Sequence, residues 1–275
     1  MIFLLGSVYA LAQDEKDRLS LAFDYIEQNR LDSAEIAFKA VLKDNPDNPV
    51  NPFLLNNLGT IQRRLGKYDE ALVSYTAALG TYPKQSVFLE SRASLFAEMG
   101  QAHNAILDYS ALLEEKPNDE EALYQRGLLY LQIKNNDLAE ADFRRILDLN
   151  PKSLYARRGF ASLAKFRGDY DDAEKIYNYL LDKDPKDYNL YAGRAELYLL
   201  MKRPGKASDD INQAFRLAGD NSKNPYLYVI RYRINLLLHE KENALSDLKK
   251  AISLGYKEKE DTINENEELP IISLP

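Results

Sequence analysis

Side chains that commonly carry out catalysis are scarce in this 275-residue sequence. It contains no cysteine and only two histidines, His103 and His239, which lie far apart along the chain. A thiolate nucleophile, a disulfide and a cysteine-ligated metal are therefore excluded, and two separate histidines cannot share a metal or form a base–nucleophile pair. Glycine-rich phosphate loops and the GxSxG and HExxH motifs are also missing from the sequence. The sequence predicts no enzyme, no metal site and no cofactor, with both histidines at the surface.

Charged residues are numerous but evenly distributed. Lysine and arginine total 36 against 43 aspartate and glutamate residues, which gives a formal net charge of −7. No stretch forms a basic arm or patch, so the counterion release that drives nucleic-acid binding has no source here. A content of 45% hydrophobic and 29% charged residues is typical of a folded chain. We therefore expect a folded protein that does not bind nucleic acid.

Small and large apolar residues recur along the chain with a period of about 34 residues. A large apolar residue follows each of seven alanines by four positions, and a small residue precedes six of them by twelve. A proline follows the first five alanines by twelve positions. The seven alanines are Ala34, Ala71, Ala105, Ala139, Ala173, Ala207 and Ala244.

This pattern resembles the tetratricopeptide repeat, a pair of antiparallel helices called A and B. The resemblance covers residues 13–258 and divides them into repeats 15–48, 52–85, 86–119, 120–153, 154–187, 188–221 and 225–258. Each repeat is numbered from position 1 to position 34, which places the recurring alanine at position 20. The resemblance implies an all-α, right-handed superhelical solenoid of seven helix pairs, because repeats of this kind stack on their neighbours.

Close packing explains the residue types at these positions. Small residues at positions 8 and 20 allow the two helices to approach, whereas a larger side chain would overpack the contact. Gly66, Gly100 and Gly168 are predicted to form the tight turns between helices A and B. Proline at position 32 cannot continue helix B and suits the turn that precedes the next helix.

Arginine at position 7 and aspartate at position 23 occur together in repeats 3, 4, 6 and 7, and both are missing from the other three repeats. This joint occurrence predicts a salt bridge between helices A and B of the same repeat; the alternative is that these arginines bind a ligand. The pairs are Arg92 with Asp108, Arg126 with Asp142, Arg194 with Asp210, and Arg231 with Asp247.

The resemblance also implies a binding surface, since helix A lines the concave groove of such arrays through positions 2, 5, 9, 12 and 13. Where position 12 is apolar, as at Leu131, Leu199 and Leu236, the competing expectation is that it packs inward between helices. The candidate groove residues are Phe53, Asn56, Arg63, Arg64, Tyr124, Tyr155, Arg158, Lys165, Phe166, Tyr226 and Arg233.

These residues favour a non-enzymatic scaffold that binds a protein or an extended or helical peptide with apolar anchors and acidic groups. The lysine and asparagine pattern of arrays that clamp a terminal carboxylate is not reproduced. Two alternatives stay open. One is a receptor that binds a small molecule or a glycan in a tyrosine-rich groove, and the other is a regulatory subunit of a separate enzyme. The sequence does not predict the identity of the partner or the oligomeric state.

Both termini differ in composition from the repeats. Residues 1–12 form an apolar run that ends in Ala10-Leu11-Ala12, which is typical of a signal peptide cleaved before Gln13. The run is shorter than the roughly 20 residues that span a bilayer. We therefore expect an exported protein, periplasmic or secreted, although no basic residue precedes the run and the true start could lie upstream. If the run is instead a buried helical turn, the protein is cytoplasmic.

At the other end, residues 259–275 form a tail that is first acidic and then apolar. Its two prolines favour an extended conformation. The alternatives are that the apolar end is disordered, or that it docks on the last repeat as a cap or in the groove.

Overall fold

A computed structural model describes residues 16–219 and 222–256 of the chain. The predicted signal peptide, the two residues 220–221 and the tail from residue 257 onward lie outside the described residues.

Within these ranges every regular element is a helix, and there are fourteen of them. A helices and B helices alternate along the chain, and the predicted all-α architecture of seven helix pairs is confirmed. The helices are α1 (residues 16–27), α2 (Leu31–Asp44), α3 (Asn51–Arg64), α4 (Tyr68–Thr81), α5 (Ser86–Glu98), α6 (Ala102–Glu115), α7 (Glu120–Gln132), α8 (Asn136–Leu149), α9 (Leu154–Arg167), α10 (Tyr170–Lys183), α11 (Tyr188–Leu200), α12 (Pro204–Ala218), α13 (Pro225–Leu237) and α14 (Lys241–Ser253).

The chain divides into two compact units, Met1–Leu129 and Tyr130–Pro275. In the first unit α3 packs on α4 and α5 packs on α6, while α2 and α4 contact the next A helices, α3 and α5. In the second unit α9, α11 and α13 pack on α10, α12 and α14 in the same way. Neighbouring A helices also touch, α3 with α5 and α11 with α13. Each unit is therefore a stack in which a helix contacts its own partner and the next repeat.

Small residues lie at the contact between the two helices of each repeat. All seven recurring alanines are fully buried. At the facing position, a Cβ added to Gly59 would lie 2.7 Å from Cε1 of the buried Tyr75 ring, closer than carbon atoms can approach. The large residues at position 24 fill the space beside these contacts and are buried in the first six repeats, as at Phe38 and Phe143, whereas Leu248 of the last repeat is half-buried.

Position 15, in the turn between helices A and B, has a left-handed backbone in every repeat. Glycine takes this conformation in three repeats, at Gly66, Gly100 and Gly168, as the sequence predicts. The other four repeats place a residue with a side chain there, with φ between 54° and 61°: Asn29, Lys134, Lys202 and His239. The turn is therefore set by a conformation that glycine favours but that other residues also adopt.

In three of the four predicted arginine–aspartate pairs, both residues belong to the same unit. Each of these three pairs forms a bridge with two hydrogen bonds. Arg92 donates from Nε and Nη2 to Asp108 over 2.8 Å in each case. Arg194 donates to Asp210 over 2.7 and 2.8 Å, and Arg231 donates to Asp247 over 2.9 and 2.6 Å. The aspartates are buried while the arginines are half-buried. Arg126 and Asp142 belong to different units, so their bridge stays a prediction.

The same arginines also contact the preceding repeat. Nη1 of Arg92 donates to Oγ1 of Thr76 over 3.4 Å, Nη1 of Arg126 donates to Oγ of Ser110 over 3.1 Å, and Nη1 of Arg194 donates to Oδ1 of Asn178 over 2.5 Å. All three acceptors occupy position 25 of a B helix. Arg92 and Arg194 therefore each hold the two helices of their own repeat together and also bind the repeat before.

Replacing Asp210 by alanine should lower the free energy of unfolding by about 2–3 kcal/mol, because two charge-assisted hydrogen bonds are lost and Arg194 loses its carboxylate. Urea denaturation measures this change. The matched control is Asp209→Ala at the neighbouring exposed carboxylate, which we expect to shift stability by less than about 0.5 kcal/mol. Equal losses in the two variants would contradict a structural role for the bridge.

Candidate functional site

The groove face is defined here as positions 2, 5, 9, 12 and 13 of the A helices. In α3 these positions are Phe53, Asn56, Thr60, Arg63 and Arg64. Their spacing of three and four residues places them along one side of the helix.

In the first unit, tyrosine hydroxyls of the B helices contact the residue at position 9 of the groove face. The hydroxyl of Tyr75 lies 3.1 Å from Oγ1 of Thr60, and the hydroxyl of Tyr109 lies 3.2 Å from Oγ of Ser94 in α5. Burial raises the pKa of both tyrosine hydroxyls, so both stay protonated near neutral pH. Position 9 of the groove face is therefore hydrogen-bonded to the B helix of the same repeat at Thr60 and Ser94.

The cations of α3 already have partners within the first unit. Nη2 of Arg63 lies 2.8 Å from Oε1 of Glu98 in α5, and its Nε donates to both carboxylate oxygens over 3.1 Å. Nη2 of the exposed Arg64 donates to Oδ1 of Asn29 over 2.7 Å. The charge of Arg63 is therefore neutralised by the next repeat and is not an open site for an acidic group.

Exposed aromatic rings lie at the N-terminal end of α3. Phe53 is 44% exposed, and its ring centroid lies 5.0 Å from that of Phe88 and 6.0 Å from that of Tyr82. Phe88 is buried, whereas Tyr82 is exposed like Phe53. The rings of Phe53 and Tyr82, which we call the aromatic shelf, offer an apolar surface at the edge of the groove face. Planar aromatic groups of this kind are enriched where proteins contact their partners.

Two carboxylates of the same unit, Glu90 in α5 and Glu121 in α7, form no ion pair within the described residues. Partial desolvation raises the pKa of the exposed Glu90 carboxyl, and the negative charges of Glu121 and Asp119 raise it further. The positive charge of Lys116 lowers it, but the net pKa is raised. On α3, Asn56 is 7% exposed and its Oδ1 has no hydrogen-bond partner within the described part of the chain. This face therefore has two carboxylates without an ion pair, whereas the acceptor of Asn56 is enclosed by the protein. Tyr124, also predicted for the groove, is half-buried.

In the second unit most predicted cations are already engaged. Lys165 is buried and forms a salt bridge with Glu196 of α11, which is buried too. Burial disfavours the charged lysine, but the attraction of Glu196 prevails and raises the pKa of Lys165. Arg158 is half-buried and paired with Asp187, and Arg233 is buried.

These positions correct the sequence prediction for Asn56, Lys165 and Arg233, because buried side chains offer a ligand little surface. Among the predicted aromatic residues of the second unit, Tyr155 is exposed whereas Phe166 and Tyr226 are half-buried. At position 12, Leu131 and Leu199 pack inward as expected.

The inward packing predicted for Leu236 is wrong, because this side chain is 43% exposed. Leu131 and Leu199 belong to inner repeats, whereas Leu236 belongs to the last repeat of the described chain.

The sequence analysis did not identify the acidic residues that pair with Arg63 and Lys165. In each unit a base at position 12 pairs with an acid at position 9 or 13 of the following repeat, as Arg63 does with Glu98 and Lys165 with Glu196. A comparison of successive repeats, instead of positions within one repeat, is the sequence signal that could have found them.

Replacing Lys165 by methionine should destabilise the protein by about 3–5 kcal/mol, because Glu196 is left buried without its cation. The double variant Lys165→Met/Glu196→Met should recover most of that loss, since a buried pair is replaced by apolar groups of similar size. Urea denaturation of the three proteins tests both expectations. A loss below about 1 kcal/mol in the single variant, as for an exposed pair, would contradict a structural role for Lys165.

No group of three or more histidine, aspartate or glutamate side chains is arranged to hold a metal ion in the part of the chain that the structure describes. His103 in α6 and His239 in a turn are both exposed. Among the described helices, none is long and apolar enough to cross a membrane.

Comparison with known proteins identifies the repeats. One family profile, described as tetratricopeptide repeat, matches residues 19–86 and 91–153, and a second profile of the same description matches residues 167–223. The crystal structure of a tetratricopeptide repeat protein from Parabacteroides merdae is 47% identical, covers 89% of this chain and 94% of that chain, and superposes with a TM-score of 0.75.

Two curated relatives match shorter parts. Tetratricopeptide repeat protein 6 of Homo sapiens is 31% identical over 102 residues, which are 37% of this chain. Tetratricopeptide repeat protein 36 of Caenorhabditis elegans is 40% identical over 53 residues, which are 19% of this chain. The chain spans only 19% and 30% of the length of these two relatives. Taken with the helix pairs and the buried small residues at their contacts, these matches show that the chain belongs to the tetratricopeptide repeat family.

Proposed function

We propose that this protein is a non-enzymatic scaffold that binds a protein or peptide on the groove face of its A helices. The observation that carries this proposal is the surface of the first unit, where the exposed rings of repeat 2 lie in the same unit as Glu90 of repeat 3 and Glu121 of repeat 4. Neither carboxylate forms an ion pair within the described residues. Membership of the tetratricopeptide repeat family agrees with a role in protein interaction.

The charges of the groove face favour a partner with basic groups over the acidic partner that the sequence suggests. Arg63, Arg158 and Lys165 are each neutralised by a carboxylate of the protein itself. An incoming acidic group would have to displace those partners. By contrast, Glu90 and Glu121 form no ion pair within the described residues, so an arginine or lysine of a ligand would gain an ion pair without breaking one.

The expected ligand is an extended peptide segment with an apolar or aromatic residue for the aromatic shelf and a basic residue for Glu90 and Glu121.

A peptide array tests this preference. Arrays of short peptides that combine phenylalanine or leucine with arginine should bind the purified chain, while matched peptides with glutamate in place of arginine should not. The variant Glu90→Gln/Glu121→Gln should weaken binding of the arginine peptides at least about tenfold, and Phe53→Ala should also weaken binding of these peptides. The control Asp47→Asn/Glu114→Gln removes the same charge from exposed positions outside the groove face and should change little.

Binding should also weaken as the pH falls. The raised pKa of Glu90 means that its carboxylate becomes protonated at a higher pH than an ordinary glutamate, and a neutral Glu90 no longer attracts arginine. A preference for acidic peptides, or equal binding by the double variant and its control, would contradict the proposal. If no peptide binds but a small molecule or glycan does, the protein is a receptor of that other class.

Export remains a proposal, supported by the apolar run of residues 1–12 and its Ala10-Leu11-Ala12 end. Expression of the chain in a bacterial host, followed by fractionation and mass measurement, tests it. We expect a periplasmic product that begins at Gln13. An uncleaved chain confined to the cytoplasm would contradict export of this sequence.

A further inference from the structure

Position 28 of the B helices is the apolar contact to the following repeat. This residue is buried in repeats 2, 3, 5 and 6, as for Leu79, Leu181 and Phe215, and half-buried in repeats 1 and 4. The contact is direct in the second unit, where the guanidinium of Arg231 in α13 lies 4.0 Å from the ring centroid of Phe215 in α12. An exposed apolar residue at position 28 therefore indicates a contact surface that no following repeat covers.

The last repeat leaves this contact open within the described residues. Its position 28 is Ile252, which is 50% exposed, and Leu245 on the same side of α14 is 56% exposed. Lys249 lies between them at helical spacing and is exposed as well. We call Leu245, Lys249 and Ile252 the C-terminal face. It is an apolar stripe with basic side chains beside it.

The first repeat presents the opposite chemistry at the other end of the array. Positions 3 and 10 of helix A are buried apolar residues in repeats 2 to 7, as at Leu54 and Ile61. In repeat 1 they are Asp17 and Asp24, and both are exposed. Stacking α1 of a second copy on the C-terminal face would bury these carboxylates against Ile252, at a cost of several kcal/mol for each. A head-to-tail chain of copies is therefore disfavoured, as expected for a terminal repeat with a polar outer face.

We propose that the C-terminal face is covered by the chain's own segment Leu269–Pro275, which lies outside the described residues. Four of its seven residues are leucine or isoleucine, which suits an apolar stripe. The residues between the last described position and this segment, 257–268, contain six carboxylates and two lysines. Their charge is complementary to Lys249 and Lys250 beside Ile252.

The length of the connection agrees with this contact. Twelve residues between Tyr256 and Leu269 span a root-mean-square distance of about 17–21 Å as a flexible chain. The thirteen residues of α14 extend over about 20 Å, so the segment can return along the whole helix. A tethered segment also acts at an effective concentration in the millimolar range, so a weak apolar contact is sufficient. This cap is independent of any ligand on the groove face.

Disulfide trapping in the full chain tests the cap, because the chain has no cysteine of its own. The pair Ile252→Cys/Leu274→Cys should form an intramolecular disulfide under mild oxidation at least about ten times faster than Ser246→Cys/Leu274→Cys. Ser246 is an exposed residue of the same helix, turned about 120° away from Ile252. Equal rates in the two pairs would overturn the proposal. Disulfides that join two chains in the Ile252 variant would instead assign the face to a second copy.

Hydrogen exchange of the cysteine-free chain provides a second measurement. The variant Ile271→Asp/Ile272→Asp should speed amide exchange in α14 at least about threefold, with no change in α9 or α10. A control, Thr262→Asp/Asn264→Asp, adds the same charge to the connecting residues and should leave α14 unchanged. Unchanged exchange in α14 of the first variant would contradict a cap formed by this segment.

Discussion

The close approach of helix A to helix B, made possible by small residues at positions 8 and 20, is the constraint on which every repeat depends. Where Gly59 faces the Tyr75 ring there is no room for even one methyl group. Because the helices meet at this distance, the ring at position 24 passes between them and its hydroxyl reaches the groove face. The packing requirement of the core thus also supplies polar groups to the binding surface.

Polar side chains supplement this apolar packing in a regular way. The arginine at position 7 joins the two helices of its own repeat and the preceding B helix, while the cation at position 12 pairs with an acid of the next repeat. Repeat proteins are held together by contacts within repeats and between neighbours. In this chain single side chains serve both kinds of contact, so loss of one should disturb two repeats together.

The sequence was sufficient to predict features that lie within one repeat. It was insufficient to predict features that depend on contact with the next repeat. The period predicts the helix pairs, the buried alanines and the bridges at Arg92, Arg194 and Arg231, because each is defined within one repeat. The partner of Lys165 depends on how one repeat is rotated on the next, which a single period does not encode. Exposure of Leu236 likewise depends on the absence of a following repeat in the described chain, although its residue type matches that of the buried Leu199.

The left-handed turn at position 15 shows that this family can be built without the residue that marks it most clearly. A search for glycine would find three of the seven turns and overlook those at Asn29, Lys134, Lys202 and His239. Asparagine tolerates this backbone, whereas the other three residues carry a strain of roughly 1–2 kcal/mol each. Together they store an amount of free energy comparable to the whole net stability of a small domain, about 5 kcal/mol. The packing of the stacked helices must offset the free-energy cost of three unfavourable turns. The contacts between helices therefore contribute more free energy than the net stability of the protein shows.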